Sequence, residues 1–457
     1  MKKFFLTILA LSVSAALFAQ EEEVQYNQYG VRVKTTALSA ESQDGFLVLR
    51  SKDNNYKIWL DNRVQVDGAS FWGTEAYADE IGDGVSIRRA RFAVKAQVTK
   101  NWYGEIDMDL ANGVFELKDA IIQFKGIPNL ELTAGNFKEF FAIQRNNSSR
   151  YLQFMERPMV AQALTPSRHL GVNAKYAKNW FWASAGVFFQ SIDNSETRTF
   201  VESANKDFGL SEGRSYTGKL IFMPGYNNED WGLHIAGAAS YRTPKNDDEN
   251  AALKGVPSVR FSTRNSNSIN RKKYIDTDEI ANTHHDFLYT GEFAGYYKGL
   301  RWEGAYIADD NFVVGSKTPS HLWGWYAQGG ILLFGGRQRY DANGAKFTRV
   351  KRGQKWGDIE LCARYEYIDF NGLQSGPAGA AEAYALGLNY YINNHVKIVL
   401  NYQYNNNDRY ANGKGNKFFV GLDEAGKPTK DYTKVVAADG KAGVDYSMLA
   451  VRFEINF

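Results

Sequence analysis

The eleven residues Ser447-Met448-Leu449-Ala450-Val451-Arg452-Phe453-Glu454-Ile455-Asn456-Phe457 alternate one by one. Leu449, Val451, Phe453, Ile455 and Phe457 take one side; Ala450, Arg452, Glu454 and Asn456 take the other. Successive strand side chains point to opposite faces, so this is a strand with one apolar and one wet face. At about ten residues it has the length of a tilted strand that crosses a bilayer. An open sheet edge is not viable in lipid, so a spanning strand requires partners that close into a ring.

The rest of the chain supplies such partners. Tyr56 to Asp67 alternates, and Val85 to Val98 and Trp102 to Leu110 flank the tight turn Lys100-Asn101. Twelve further candidates follow: Phe115–Phe124, Leu130–Phe137, Gly171–Ala177, Trp180–Gln190, Tyr216–Met223, Leu233–Arg242, Asp286–Tyr297, Arg301–Ala308, Trp323–Phe334, Asp358–Ile368, Ala383–Ile392 and His395–Tyr404. The fold class expected is all-β, a transmembrane antiparallel β-barrel of about 16 strands. Short connections (Gly126 to Asn129, Lys178-Asn179, Lys298-Gly299, Asn393-Asn394) alternate with long ones (Gly68 to Gly84, Lys138 to Leu170, Ser191 to Ser215, Thr243 to Thr283, Gly335 to Gly357, Asn405 to Tyr446). Outer-membrane barrels have this asymmetry, and their closing strand often ends on Phe, as here. One long connection is too apolar for a surface: Ser148 to Leu164 holds Tyr151, Leu152, Phe154, Met155, Met159, Val160 and Leu164. It is expected to fold inward and narrow the pore, the alternative being contact with a neighbouring subunit.

Three segments are expected. Met1 to Gln20 reads as a signal peptide, with Lys2-Lys3 before an apolar run and Ala16-Leu17-Phe18-Ala19 at the cut. Residues 21–55 read as a periplasmic lead-in and 56–457 as the barrel. Removing Lys2 and Lys3 from 54 basic residues leaves 52 against 51 acidic, so net charge identifies no partner. The 27 Tyr, 29 Phe and 10 Trp fit aromatic girdles. A mean hydropathy of -0.44 fits strands with one wet face. The single cysteine, Cys362, excludes an internal disulfide framework. None of the six histidines sits in a catalytic motif, so no catalytic residue, metal or cofactor is expected. His284-His285 reads as a surface pair whose rings point apart on a strand.

The segments Asn62 to Gly68, Ser86 to Phe92 (SIRRARF), Asn101 to Leu110, Ala134 to Phe141 (AGNFKEFF), Ser148 to Arg157 (SSRYLQFMER), Asp341 to Phe347 (DANGAKF), Trp356 to Phe370 and Ala385 to Tyr402 together resemble the phosphate-selective porins of the porin O and porin P type. The resemblance implies a trimeric sixteen-strand barrel in the cell outer membrane. Its constriction would be lined by basic side chains that select inorganic phosphate or other small anions. By position it implies constriction roles for Arg63, Arg88, Arg89, Arg145, Arg150 and Lys346, and a looser vestibule role for Arg260 and Arg264. Tyr103 and Lys118 depart from the family pattern. Apart from the resemblance, Arg349 and Lys351 belong to the basic stretch Arg337 to Lys355, read either as a funnel at the mouth or as a contact for lipopolysaccharide phosphates. Nucleic acid is not an expected partner.

Arginine suits the task, because its planar fork matches phosphate oxygens and stays charged. On the lipid face at mid-bilayer a charge costs roughly 2–4 kcal/mol, so Arg63, Arg89 and Arg91 belong on the lumen face. Plain alternation sends Arg88 to the other face; a bulge would turn both Arg88 and Arg89 inward. The competing role for these arginines is a structural ladder paired with Asp61, Asp67, Asp107, Asp109 and Asp119. The competing functions are a general or sugar diffusion channel and a non-conducting scaffold or adhesin.

Overall fold

The computed structural model describes residues 25–33, 36–73, 80–192, 211–247, 255–269, 272–436 and 443–457. The expected signal peptide lies outside them.

Sixteen antiparallel strands close into a barrel. They are β1 (Arg63–Trp72), β2 (Gly84–Val98), β3 (Trp102–Asp109), β4 (Glu116–Ile127), β5 (Leu130–Lys138), β6 (Arg168–Lys178), β7 (Phe181–Phe188), β8 (Arg214–Phe222), β9 (Trp231–Thr243), β10 (Thr283–Tyr297), β11 (Leu300–Val313), β12 (Ser320–Leu332), β13 (Asp358–Gly372), β14 (Ala380–Tyr391), β15 (Val396–Asn407) and β16 (Tyr446–Asn456). β16 closes the ring on β1, from Ser447 opposite Trp72 to Asn456 opposite Arg63. The alternation of the last strand is realised in space: Phe453 is 55% exposed on the outer wall, whereas Arg452 is 2% exposed inside.

The stretch expected as one first strand is split at Asp61-Asn62. Tyr56–Leu60 pairs with Val94–Val98 of β2, while β1 pairs with its Gly84–Arg91 half. The split leaves room for the chain end, and Asn62 N–H donates to the Phe457 carbonyl at 2.8 Å. A hairpin, Leu38–Gln43 with Phe46–Ser51, extends the sheet from Tyr56–Leu60. Its tip reaches the β14–β15 turn, where Asp44 accepts from Asn394 at 2.9 Å and Phe46 packs on His395.

Even-numbered strands run toward the end with the tight turns, which for such barrels is the periplasmic end. This corrects one expectation. Residues 333–357 join β12 to β13, so they lie at the periplasmic end and not among the outer loops. Arg349 pairs there with Asp44. At the outer end, the connections 314–319 and 373–379 are short.

Residues 333–357 enter the lumen from the periplasmic end: Ala345 and Phe347 are fully buried, and Phe347 N–H donates to Asn147 Oδ1 at 2.9 Å. Two more connections enter from the outer end. The first, residues 139–167, buries Phe141, Ile143, Met159 and Val160 completely, with Leu152, Phe154, Met155 and Leu164 nearly so. Such side chains contribute roughly 1.5–3 kcal/mol each when fully buried. Within this chain's own barrel, Phe141, Met155, Met159, Val160 and Leu164 pack in one cluster with Leu288, Ile307, Leu322, Tyr326 and Ile368. Ile143 packs with Ala294 and Tyr296, and Phe154 with Cys362 and Ala385, which disposes of the subunit-contact alternative for them. The wall is thinned to receive them. A side-chain carbon added at Gly324 would lie 2.9 Å from Val160, one at Gly330 2.5 Å from Gln153, and one at Gly387 3.2 Å from Phe154.

The second inward connection was not expected. In residues 255–269 and 272–282, Asn265 donates to Asn407 at 2.7 Å. Ser266 donates to the Arg157 carbonyl at 3.0 Å and to Glu366 at 2.9 Å. The tip of this connection docks by hydrogen bonds, while Tyr274, Ile275 and Ile280 are buried in the hydrophobic cluster with Val259, Phe261 and Ile269 packed on it. These apolar residues are scattered among polar ones, so the segment reads like a surface loop.

Candidate functional site

The two connections that enter from the outer end fill much of the β10–β15 side of the lumen and leave a series of cavities, the outer one reaching from β4 to β10 and the middle one lying along β1–β6. An outer cavity of about 630 Å³ meets a middle one of about 420 Å³ through shared walls at Ser167 and Arg168. The middle one meets an inner cavity of about 380 Å³ through Asp61, Arg150 and Tyr151.

Ten cationic side chains line the middle cavity: Arg63, Arg89, Arg91, Lys95, Lys138, Arg145, Arg150, Arg157, Arg168 and Lys346. Against them stand four carboxylates, Asp61, Glu105, Asp107 and Asp119. Each carboxylate is already held. Lys95 pairs with Asp61 at 2.7 Å and Glu105 at 3.4 Å, Arg150 also pairs with Asp61, Arg91 binds Asp107, and Arg168 binds Asp119 at 2.7 Å. Glu105, Asp107 and Asp119 bring their oxygens within 4.8 Å of one another, and these same cations cross-link them. Four cations thus match four acids, and six remain: Arg63, Arg89, Lys138, Arg145, Arg157 and Lys346.

Five of those six have no carboxylate within 4 Å among the described residues. Arg63 donates to the Ser149 hydroxyl at 2.6 Å. Lys138 donates to the Arg145 carbonyl at 3.0 Å. Arg145 donates to Thr165 Oγ1 at 2.7 Å, and Arg157 to the Gln144 carbonyl at 2.6 Å. The Nε atoms of Arg63 and Arg150 are buried with no partner, an open invitation to an acceptor. In the loop, burial together with neighbouring arginines lowers Arg145 to about 10 and Arg157 to about 9. Both stay charged at neutral pH; burial is the larger cause of the depression, and the neighbouring arginines add to it.

The sixth, Arg89, and its neighbour Arg88 show what the bulge does. β1 pairs Gln65 with Arg89 and Val66 with Ile87, so Arg88 is the extra residue. Both guanidinium groups then face Glu156 of the inward loop. Arg88 grips it with two bonds, of 2.7 and 3.0 Å, and Arg89 stands 3.9 Å away. Arg452 completes the clasp, 3.0 Å from Glu156 and 2.7 Å from Asp67. Burial alone would raise Glu156, but these three arginines hold it well below the usual carboxylate range. Arg88 lies outside the lining of the middle cavity; its work is to fasten the loop.

The site residues expected from sequence therefore separate. Arg63, Arg89, Arg145, Arg150 and Lys346 share one cavity; Arg150 belongs to the paired set. Arg260 lines the outer cavity, bonded to Asp276 at 2.8 and 2.6 Å. Arg264 lies on the second inward connection, beside the Asn265 that docks it. Arg349 lines the inner cavity, and Lys351 pairs through its backbone with Arg337, also at the periplasmic end. Lys138, Arg157 and Arg168 were missed, although Lys138 and Arg157 sit inside quoted family segments. At His284-His285 a bulge brings the two Nδ1 atoms to 2.7 Å, correcting the view that the rings point apart.

The family model described as "Phosphate-selective porin O and P" matches residues 58–419. Porin O of Pseudomonas aeruginosa is 25% identical over 446 residues, covering 90% of this chain and 95% of that protein. An uncharacterized protein of Caulobacter vibrioides is 25% identical over 364 residues, covering 77% of this chain and 69% of that one. Among solved structures, outer-membrane expressed OmpT of Vibrio cholerae matches with a TM-score of 0.52 at 11% identity, covering 90% of this chain and all of that one. The trimer form of in-vitro folded OmpT matches at 0.51 and 12%, covering 88% and 99%. At such identities the structures speak to the fold.

Proposed function

Since this chain belongs to the phosphate-selective porin O and P family and is an outer-membrane porin, we propose that it is a passive diffusion channel that prefers anions, inorganic phosphate among them, and not an enzyme. The observation that carries this is the surplus of six cations over carboxylates in the middle cavity. An anion entering it exchanges part of its hydration for guanidinium and ammonium donors. The donors are spread along the cavity, so no single well is deep enough to trap it. Beyond the middle cavity, Lys118, Arg214, Arg242, Lys245 and Arg260 line the outer cavity against Glu279 and Asp286, and Lys57, Arg339 and Arg349 line the inner one against Asp44. The approach from either end is therefore also basic.

The working assembly is a homotrimer in this reading, supported by the trimer form of the OmpT match. A shallow apolar hollow on the outer wall, where Ala134, Ala174, Ala185 and Gly218 keep the surface low between Trp102 and Tyr216, offers a second barrel close approach. Lipid and lipopolysaccharide surround the rest, Met1 to Gln20 is removed on export, and no cofactor takes part. The test is competition in a planar bilayer. Added phosphate reduces the chloride current in a saturable way if the cations form a site, and leaves it unchanged beyond the effect of ionic strength if they do not.

A further inference from the structure

The middle cavity is not lined by charge alone. Ile121, Phe137, Phe140 and Tyr151 share its wall with the cations. The phenylalanine rings are fixed from behind: Phe137 stands edge-on to Phe188 at 5.5 Å, and Phe140 edge-on to Trp182 at 5.3 Å. They cannot withdraw from the passage without breaking those contacts. A hydrated inorganic anion gains nothing from hydrocarbon and loses water of hydration beside it. An anion with an apolar body gains from both surfaces. At the inner end, Tyr151 stands next to Arg150, whose buried Nε, like that of Arg63, has no partner. A carboxylate head with a ring behind it has the chemistry to meet those donors and this wall together.

We propose that the middle cavity binds aromatic carboxylates more tightly than small hydrophilic carboxylates, making them a substrate class of this channel. The inference rests on the reading of this cavity as an anion passage. Its arithmetic is simple: about 60 Å² of ring surface taken from water at about 25 cal/mol/Å² corresponds to roughly a tenfold gain in affinity.

The experiment uses the full assembled porin in a planar bilayer, with benzoate, acetate and benzylammonium added separately to chloride solution. Benzoate should reduce the chloride current at a concentration about tenfold lower than acetate does, and benzylammonium should not block. Phe140→Ala and Tyr151→Ser should each cut the benzoate advantage at least threefold, with Phe140→Leu keeping most of it. Equal block by benzoate and acetate in a channel that still prefers chloride to potassium overturns this inference and leaves the anion passage standing. So does an unchanged benzoate advantage in both Phe140→Ala and Tyr151→Ser. A channel with no preference for chloride overturns the passage itself, and the inference with it.

Discussion

The wall of β10 to β13 and the wall of β1 to β6 both carry charged side chains on the lumen-facing register, yet only one meets the middle cavity. Glu292, Glu303, Glu360 and Glu366 line the first, each no more than 4% exposed. The inward loop covers them. Ile143 N–H donates to Glu292 at 2.6 Å, Gln144 binds Glu303, Gln153 donates to Glu360 at 2.8 Å, and Met159 N–H binds Glu366. The second wall carries Arg63 and Lys138, which line the middle cavity with no carboxylate within 4 Å among the described residues. A chain with nearly equal numbers of acids and bases can thus present a basic passage. The acids of one wall are taken up by the wall cations Lys219, Arg301 and Arg364 together with the loop's hydrogen-bond donors, and bases of the other wall stay unmatched.

The largest effect should come from removing that cover. Excising residues 151–163 exposes Glu360 and Glu366 and widens the lumen. Single-channel conductance should rise several-fold and the preference for anions should fall away or reverse. Unchanged conductance would show that the loop is not the constriction.

Next is the clasp. Glu156→Ala leaves Arg88, Arg89 and Arg452 without their shared counter-charge, and breaking a buried pair in this way costs about 3–5 kcal/mol. Thermal stability should drop and the current should become noisy as the loop works loose.

A smaller change should follow on the open wall. Arg63→Ala combined with Lys346→Ala should reduce chloride-over-potassium permeability about threefold to tenfold, or ~0.7–1.4 kcal/mol, in a barrel that still assembles. Reversal potentials read this directly.

The smallest is a pH effect. Burial would raise Glu139, but Arg242 and His169 hold it at about 2. An unfolded glutamate titrates at about 4.3. A depressed folded value gives stability that is complete above the unfolded value and is lost as pH falls through the folded one. The loop should therefore stay docked at pH 4, and flicker should begin only as pH approaches 2.

The strands were legible because a period of two is written directly into runs such as Leu449 to Phe457, and lipid permits no exception on the outer face. The inward loop was legible because Phe154, Met155 and Met159 have no place on a surface. The end of the barrel that holds 333–357 could have been read by parity. That segment follows an even-numbered strand, like the tight turns after Val98 and Lys178, but its length alone suggested the outer side. The second inward connection was harder to see, since its apolar residues are scattered and its tip, Asn265 and Ser266, docks by hydrogen bonds to Asn407 and Glu366, which lie 142 and 100 residues away in sequence. Nor could sequence divide the arginines. Arg150 and Arg63 look alike in a string, and only the position of Asp61 makes one paired and the other free.

The most direct measurement is the zero-current potential of the wild-type channel in a tenfold potassium chloride gradient at neutral pH. A surplus of unmatched cations at the waist predicts a potential of the sign set by chloride, shrinking as salt concentration rises and screens the wall. A potential of the sign set by potassium would contradict it.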